Sequence, residues 1–231
     1  YCGDIPFAGP FTSIFFSELN IRKPDYNLKI KTGQFGTEVA EIISQTEKII
    51  IKEKPDVMLI LGDTNSGLSA IVAAHYGVKI VHLEAGMRAY DFRMPEDKNR
   101  TLIDHLSSVL LPYTNYSREN LIHENIHPSK IYVVGNPIIE VINYFLPKIQ
   151  KSKILEKMKL KEKEYVLVTA HRSENVDDKN NLKKIFSSLE KINKKFKKRI
   201  IYPMHPRTLS KAKNVKIPKS IEENLRKSDR L

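Results

Sequence analysis

A single cysteine, Cys2, is present in 231 residues, which excludes a disulfide framework and a thiolate zinc cluster. No apolar run approaches the ~20 residues that a membrane-spanning helix needs, and no secretory leader is recognisable. Cysteine-pair spacings are absent, and His123 and His127, although spaced as HxxxH, sit at the end of a helix and read as structural, so a zinc site is not indicated. GxSxG, a Walker A sequence and GxGxxG are absent too, which removes a serine-hydrolase elbow, a P-loop and a dinucleotide fingerprint. Apolar residues at 41% and charged residues at 29% fit a globular protein, and a reducing cytoplasm is the default compartment.

The net charge of +12 concentrates in lysines of the second half, notably residues 151–164 and 191–199. Apolar residues recur between those lysines at helical spacing, so the charge reads as solvated helix faces. Neither a nucleic-acid motif nor an aromatic-interleaved basic strand accompanies it, which argues against a nucleic-acid partner. No internal repeat and no low-complexity tract is present.

Strands alternate with helices. Residues 11–21 read as a short helix or turn, and 36–54 as an amphipathic helix stopped by Pro55. DVMLIL (56–61) is a continuous apolar run, expected to be a strand buried on both faces. A crossover helix over 68–77 and a second buried strand over 78–83 complete a β-α-β unit. The pattern continues with a helix at 95–108, a strand at 109–112, a helix at 114–126, a strand at 131–135 and a helix at 136–146. It resumes with a strand at 165–170, a helix near 178–195 and a strand at 199–204. The expected fold class is α/β, with two doubly wound parallel-sheet domains. The expected division is a first domain over 1–148, a basic connector over 149–164, and the start of a second domain over 165–231.

In open α/β sheets, ligands bind beyond the carboxyl ends of the strands. Polar groups follow five strands in turn: Asp63-Thr64-Asn65, Glu84, Asn136, His171-Arg172-Ser173-Glu174-Asn175 and His205-Pro206-Arg207. That recurrence points to a cleft between two domains. The densest charge lies in HLEAGMRAYDFRMPEDKNRTLID (82–104), where Gly86 and Pro95 break any single helix. Each candidate has a plainer role to set beside a chemical one. Asp63 would serve equally well as a helix cap. Glu84 ends an apolar strand where no helix start needs it, and a half-buried carboxylate there requires a partner. Glu96 and Arg100, four apart, would by themselves make a surface ion pair worth about 0.3–0.5 kcal/mol. His171 could be a satisfied structural histidine, but it stands beside Arg172, Glu174 and Asn175. His75, His105, His123 and His127 read as structural. Carboxylates, arginines and a histidine are equipment for proton transfer on an anionic substrate.

Taken together, GDTNS (62–66), the 82–108 block, VVGNPIIEVI (133–142), VTAHRSEN (168–175) and YPMHP (202–206) resemble the non-hydrolysing UDP-N-acetylglucosamine 2-epimerases. The resemblance implies a fold like the GT-B glycosyltransferases, with a UDP-sugar between the domains. It implies reversible inversion at C2 without NAD or a required metal, by loss of UDP to a glycal and re-addition. By motif, the family's acids map to Asp63, Glu84 and Glu96, its arginine to Arg100 and its histidine to His171. Asn136, Arg172, Glu174, Asn175 and His205 are the expected substrate-binding residues. A homodimer feeding surface polysaccharide synthesis is expected by the same route. The family's opening strand with its Gly-Thr-Arg-Pro-Glu loop, and its later Ser-Gly-Gly motif, have no counterpart here, so the chain is expected to be truncated at both ends. Asn65 and DFRMPED are similar to relatives acting on 6-deoxy or uronic-acid sugars. A GT-B-like glycosyltransferase and an inactive truncated copy are the alternatives.

Overall fold

The structure, a computed structural model, describes residues 16–213, Val215 and Ile217, except Thr32, Phe92 and His205. The expected turn over 11–21 therefore lies partly outside the described residues, and Cys2 and His205 lie wholly outside them. The described chain divides into two compact units between Asn143 and Tyr144.

In the first unit, α1 (Phe35–Glu53) buries Ile42, Thr46 and Ile50, spaced four apart as an apolar helical stripe requires. It ends where Lys54 turns left-handed, ahead of Pro55, and returns its N–H to the Ile50 carbonyl at 2.9 Å. β1 (Val57–Leu61), β2 (Lys79–Leu83) and β3 (Val109–Leu111) form a parallel sheet in the order β1-β2-β3. The β1–β2 crossover is a 3₁₀ turn, Asn65–Ser69, running into α2 (Ala70–His75). The β2–β3 crossover carries α3 (Pro95–Leu106), with Pro95 at its first turn, where its missing N–H is no loss. α4 (Asn115–His123) follows, capped by Thr114 Oγ1, which accepts from Ser117 N at 3.1 Å.

The core lies on one face of this sheet. Ile60 and Ile80 pack with Ile50, Ala70, Val72, Ala73, Val78 and Ile103. The other face departs from the expected double burial: Val57, Leu59 and Leu61 are 51%, 65% and 62% exposed. An uninterrupted apolar run reads the same whether helices cover one face or two. Here α1, α2 and α3 supply their apolar stripes to the even-numbered side of β1 only.

The expected strand at 131–135 is reduced to one parallel bridge, Ile131 with Leu110. The chain stays alongside β3, with Tyr132 N donating to Leu110 O (2.9 Å) and Val134 N to Pro112 O (3.0 Å). The next bridge would need an N–H from residue 112, and proline has none. α5 (Ile138–Gln150) then presents an apolar surface with no buried residue, and the division between the units falls within it.

In the second unit, α6 (Ile154–Lys157) leads to β4 (Tyr165–Leu167), α7 (Ser173–Val176), α8 (Lys179–Phe196), β5 (Arg199–Ile201) and α9 (Pro206–Ala212). β4 and β5 pair in parallel. Their core gathers Val176, Leu182, Phe186, Leu189, Ile200 and Tyr202. Asp178 caps α8, accepting from Asn181 N at 2.7 Å. Lys191, Lys194 and Lys195 lie along the solvated side of this helix, while Leu182, Phe186 and Leu189 face inward.

Gly86 is a position that only glycine can occupy. Its φ is +73°, and a Cβ there would meet Ser117 O at 2.2 Å and Leu121 Cγ at 2.7 Å. Gly77, at φ +71°, has nothing within 4 Å. Gly86→Ala should therefore lose about 3 kcal/mol, combining left-handed strain with overpacking. Gly77→Ala should lose about 1–2 kcal/mol from strain alone. Thermal melts of both variants should separate them by several degrees, and equal melting points would contradict the packing argument.

Candidate functional site

Parallel pairing places the ends of β1 and β2 side by side, with Leu61 opposite Leu83. Asp63 and Glu84 therefore leave the same sheet edge on adjacent strands. Gly62 N donates to Leu83 O at 3.1 Å, and Glu84 N to Leu111 O at 3.1 Å, which fixes both loop roots. Glu84 has φ +72°, in the left-handed region that residues with a Cβ rarely enter. Such a conformation persists only where the surroundings over-determine it.

α3 delivers the cation. Its buried side carries Asn99 and Arg100. Asn99 Nδ2 donates to Asp63 O at 3.1 Å and to Asn65 Oδ1 at 3.2 Å. Arg100 Nη2 lies 2.5 Å from Asp63 Oδ2 and 2.8 Å from Glu84 Oε1, so one nitrogen serves both carboxylates. The three side chains are 10%, 20% and 27% exposed. Arg100 Nε is buried and makes no hydrogen bond, a donor left over inside the cluster.

In this geometry neither Asp63 nor Arg100 takes the plain role that its local sequence allows. The 3₁₀ turn after β1 has Thr64 at its cap position with no side-chain cap bond, and the Asp63 carboxylate pairs with Arg100 instead. Arg100 turns to Asp63 and Glu84, so the four-residue spacing to Glu96 does not make the surface pair it would allow. Glu96 is exposed at the start of α3, close enough for its charge to act on Asp63.

Burial pushes the Asp63 carboxyl above its ordinary value; Arg100 opposes the rise and Glu96 adds to it. Desolvation thus outweighs the ion pair. Tyr113, just past β3, belongs to the same cluster and is missed when only the residues directly after each strand are read. Burial raises its hydroxyl, the Glu84 charge raises it further, and Arg100 acts in the opposite sense. The signal lies two residues past the strand end, beyond Pro112.

Asn136 has a local role: its Oδ1 accepts from Ile138 N at 3.0 Å at the start of α5. In the second unit, His171, Arg172 and Asn175 follow β4 and are exposed, and His171 Nδ1 lies 3.4 Å from Thr169 Oγ1. Glu174 falls within α7, and His205 lies outside the described residues. Among the described residues, no group of three or more His, Cys, Asp or Glu side chains is placed to hold a metal ion. None of their helices is long and apolar enough to cross a membrane.

A sequence profile described as UDP-N-acetylglucosamine 2-epimerase matches residues 8–228. The chain belongs to the UDP-N-acetylglucosamine 2-epimerase family. It is 42% identical over 216 residues to a UDP-N-acetylglucosamine 2-epimerase of Methanococcus maripaludis, covering 91% of this chain and 59% of that one. It is 36% identical over 205 residues to a UDP-2,3-diacetamido-2,3-dideoxy-D-glucuronate 2-epimerase of Pseudomonas aeruginosa, covering 87% of this chain and 56% of that one. Among solved structures, the Methanocaldococcus jannaschii UDP-GlcNAc 2-epimerase in complex with UDP-GlcNAc and UDP aligns with a TM-score of 0.84 at 38% identity. That alignment covers 90% of this chain and 60% of that one. The chain thus spans a little over half the length of these family members, and the α/β fold of parallel sheets agrees with theirs.

For this epimerase-family site, the titration of Asp63 should follow its neighbours. Its folded value is raised, so the folded chain holds that proton more tightly than the unfolded chain. Its contribution to stability is therefore greatest at low pH and declines as pH rises through the raised value. Arg100→Gln removes the lowering influence and should move the midpoint up, whereas Glu96→Gln should move it down. A carbon-13 carboxyl titration of the 231-residue chain measures both, and unmoved midpoints would remove the coupling.

Proposed function

We propose that the protein of which this chain forms part interconverts a UDP-2-acetamido sugar with its C2 epimer, UDP-N-acetylglucosamine with UDP-N-acetylmannosamine being the leading pair. The observation that carries this reading is the Arg100 guanidinium held between Asp63 and Glu84 at one strand edge, with its Nε unpaired. Family membership supports the same reaction class.

The chemistry follows from charge and position. A carboxylate takes the C2 proton, the C–H electron pair becomes the C1–C2 double bond, and the C1–O bond breaks with its electrons leaving on UDP. Return of a proton to the opposite face of C2 and of UDP to C1 gives the epimer. Asp63, Glu84 and Glu96 are the acid and base groups, since two faces of one carbon need two proton-transfer groups. A raised Asp63 suits proton transfer nearer neutral pH than an ordinary carboxyl would.

Arg100 organises the acids by pairing with both of them through one nitrogen. The cluster of one guanidinium and two carboxylates carries a net negative charge, which fits an uncharged sugar ring better than a diphosphate. His171 and Arg172 are assigned the departing UDP, with Asn175, Glu174, His205 and Asn136 around the substrate. The reading includes a homodimer in the cytoplasm supplying N-acetylmannosamine-type units for surface polysaccharide. It requires no NAD and no metal. The uronate-specific relative in Pseudomonas aeruginosa makes diacetamido uronic sugars the second substrate class to assay.

Proton NMR of the complete gene product in deuterated water, with UDP-N-acetylglucosamine, tests the reaction, with residues 1–231 run alongside. Deuterium at C2 together with a new manno-configured UDP-sugar is the expected result. Transfer of sugar to an acceptor without C2 exchange would replace this reading with a glycosyltransferase. Glu84→Gln in the complete protein should lower turnover by at least about 100-fold, with UDP affinity by calorimetry within about twofold. Normal turnover in that variant would remove Glu84 from the mechanism.

A further inference from the structure

His82 is a fully buried polar residue that the proposed chemistry does not use. It lies on β2, in register with Ile60 and Leu110, on the strand face that is otherwise aliphatic core. Its ring is 0% exposed. A buried imidazole is tolerated there only if both nitrogens find partners, and they do. Nε2 lies 2.9 Å from Gly62 O and Nδ1 lies 2.7 Å from Asp104 Oδ1.

The partners define the proton positions. A carbonyl oxygen only accepts, so Nε2 carries a proton. Asp104 is fully buried, and its Oδ2 accepts from Gly86 N at 3.2 Å and from Arg88 Nη2 at 2.7 Å. A carboxyl taking two donors on one oxygen, one of them a guanidinium, is the ionised acceptor. Its Oδ1 therefore accepts from Nδ1–H. Arg88 is held in turn by Glu124, through Nε at 2.7 Å and Nη2 at 2.6 Å.

Gly62 immediately precedes Asp63, and Gly86 follows Glu84 by two residues. One ring thus joins the root of the Asp63 loop to the carboxylate that holds the Glu84 turn. We infer that His82 is a positioning residue for the proposed epimerisation, fixing the spacing of Asp63 and Glu84 by bridging the Gly62 carbonyl to Asp104. This inference rests on the epimerase reading. It differs from a packing role because it needs a donor in one place, at Nε2, facing Gly62.

Two amide substitutions separate the bonds. In His82→Gln the amide nitrogen falls near the Nε2 position and keeps a donor for Gly62. In His82→Asn it falls near Nδ1, keeping Asp104 and losing Gly62. In the complete protein, His82→Asn should lower kcat about 100-fold, the effect of a misplacement of about 1 Å, with KM within about twofold. The rate of C2 deuterium uptake should fall in parallel, and His82→Gln should recover most of both. Equal losses in the two variants, or normal kcat in His82→Asn, would overturn the inference. A silent wild-type protein would instead overturn the epimerase reading. The bridge is then judged by nitrogen-15 spectra of wild type, which also serve if His82→Asn does not fold. A slowly exchanging Nε2–H resonance is expected, and an Nε2 without a proton overturns the bridge.

Discussion

The strand edge of the first unit is organised by the Arg100 guanidinium. Arg100 sits at 10% side-chain exposure with two carboxylates on a single nitrogen. Removing a cation from water is expensive unless its partners are well placed, and these partners come from two strand ends that are neighbours only because β1 and β2 pair in parallel. The ion pair therefore presupposes the sheet, the crossover through α2, and the placement of α3 across the strand ends. It also leaves signs of strain: Glu84 is left-handed and Arg100 Nε has no partner. A fold selected for stability alone would relax both, and such departures concentrate where a protein does chemistry.

Beneath that layer the polar groups are more deeply buried and better satisfied. His82 and Asp104 are fully enclosed, and Arg88 is nearly so. Burial would depress the Arg88 guanidinium, yet Glu124 and Asp104 together hold it above its ordinary value. Asp104 has an acceptor contact in three directions, toward a ring, a backbone amide and a guanidinium. A satisfied network thus lies beneath a strained, partly exposed pair of carboxylates, an arrangement that would hold the proposed proton-transfer groups in place.

Much of this was legible in the sequence, and the exceptions have physical causes. Reading the residues after each strand finds Asp63 and Glu84, because parallel strands deliver their ends to one edge. The spacing of Glu96 and Arg100 predicts only a surface pair; the preference of Arg100 for Asp63 and Glu84 is tertiary and has no local signal. His82 is missed for the opposite reason, since a lone histidine among aliphatic residues reads as core until its two partners are seen. Tyr113 is hidden by Pro112, which ends β3 and also truncates the strand expected at 131–135. The apolar run of β1 promises two covered faces, but sequence alternation carries no information about how many helices arrive. Asn136 also has a local role that the strand-end rule does not announce, since its Oδ1 accepts from Ile138 N at the start of a helix.

Charge placement bears on how the proposed reaction is divided within the chain. The carboxylates of the first unit exceed the one guanidinium between them, so this edge attracts a proton more readily than a phosphate. Elimination of UDP develops negative charge on the leaving diphosphate, and an edge rich in carboxylates would oppose it. Under the proposed reaction that charge must be met elsewhere, by donors outside this carboxylate cluster. His171 and Arg172 follow β4 at the corresponding edge of the second sheet. Separating proton transfer from leaving-group stabilisation keeps each group's charge suited to its task. A guanidinium committed to two carboxylates cannot also neutralise a diphosphate. Under the proposed reaction, the pairing of Arg100 with both carboxylates holds the acids apart and aligned.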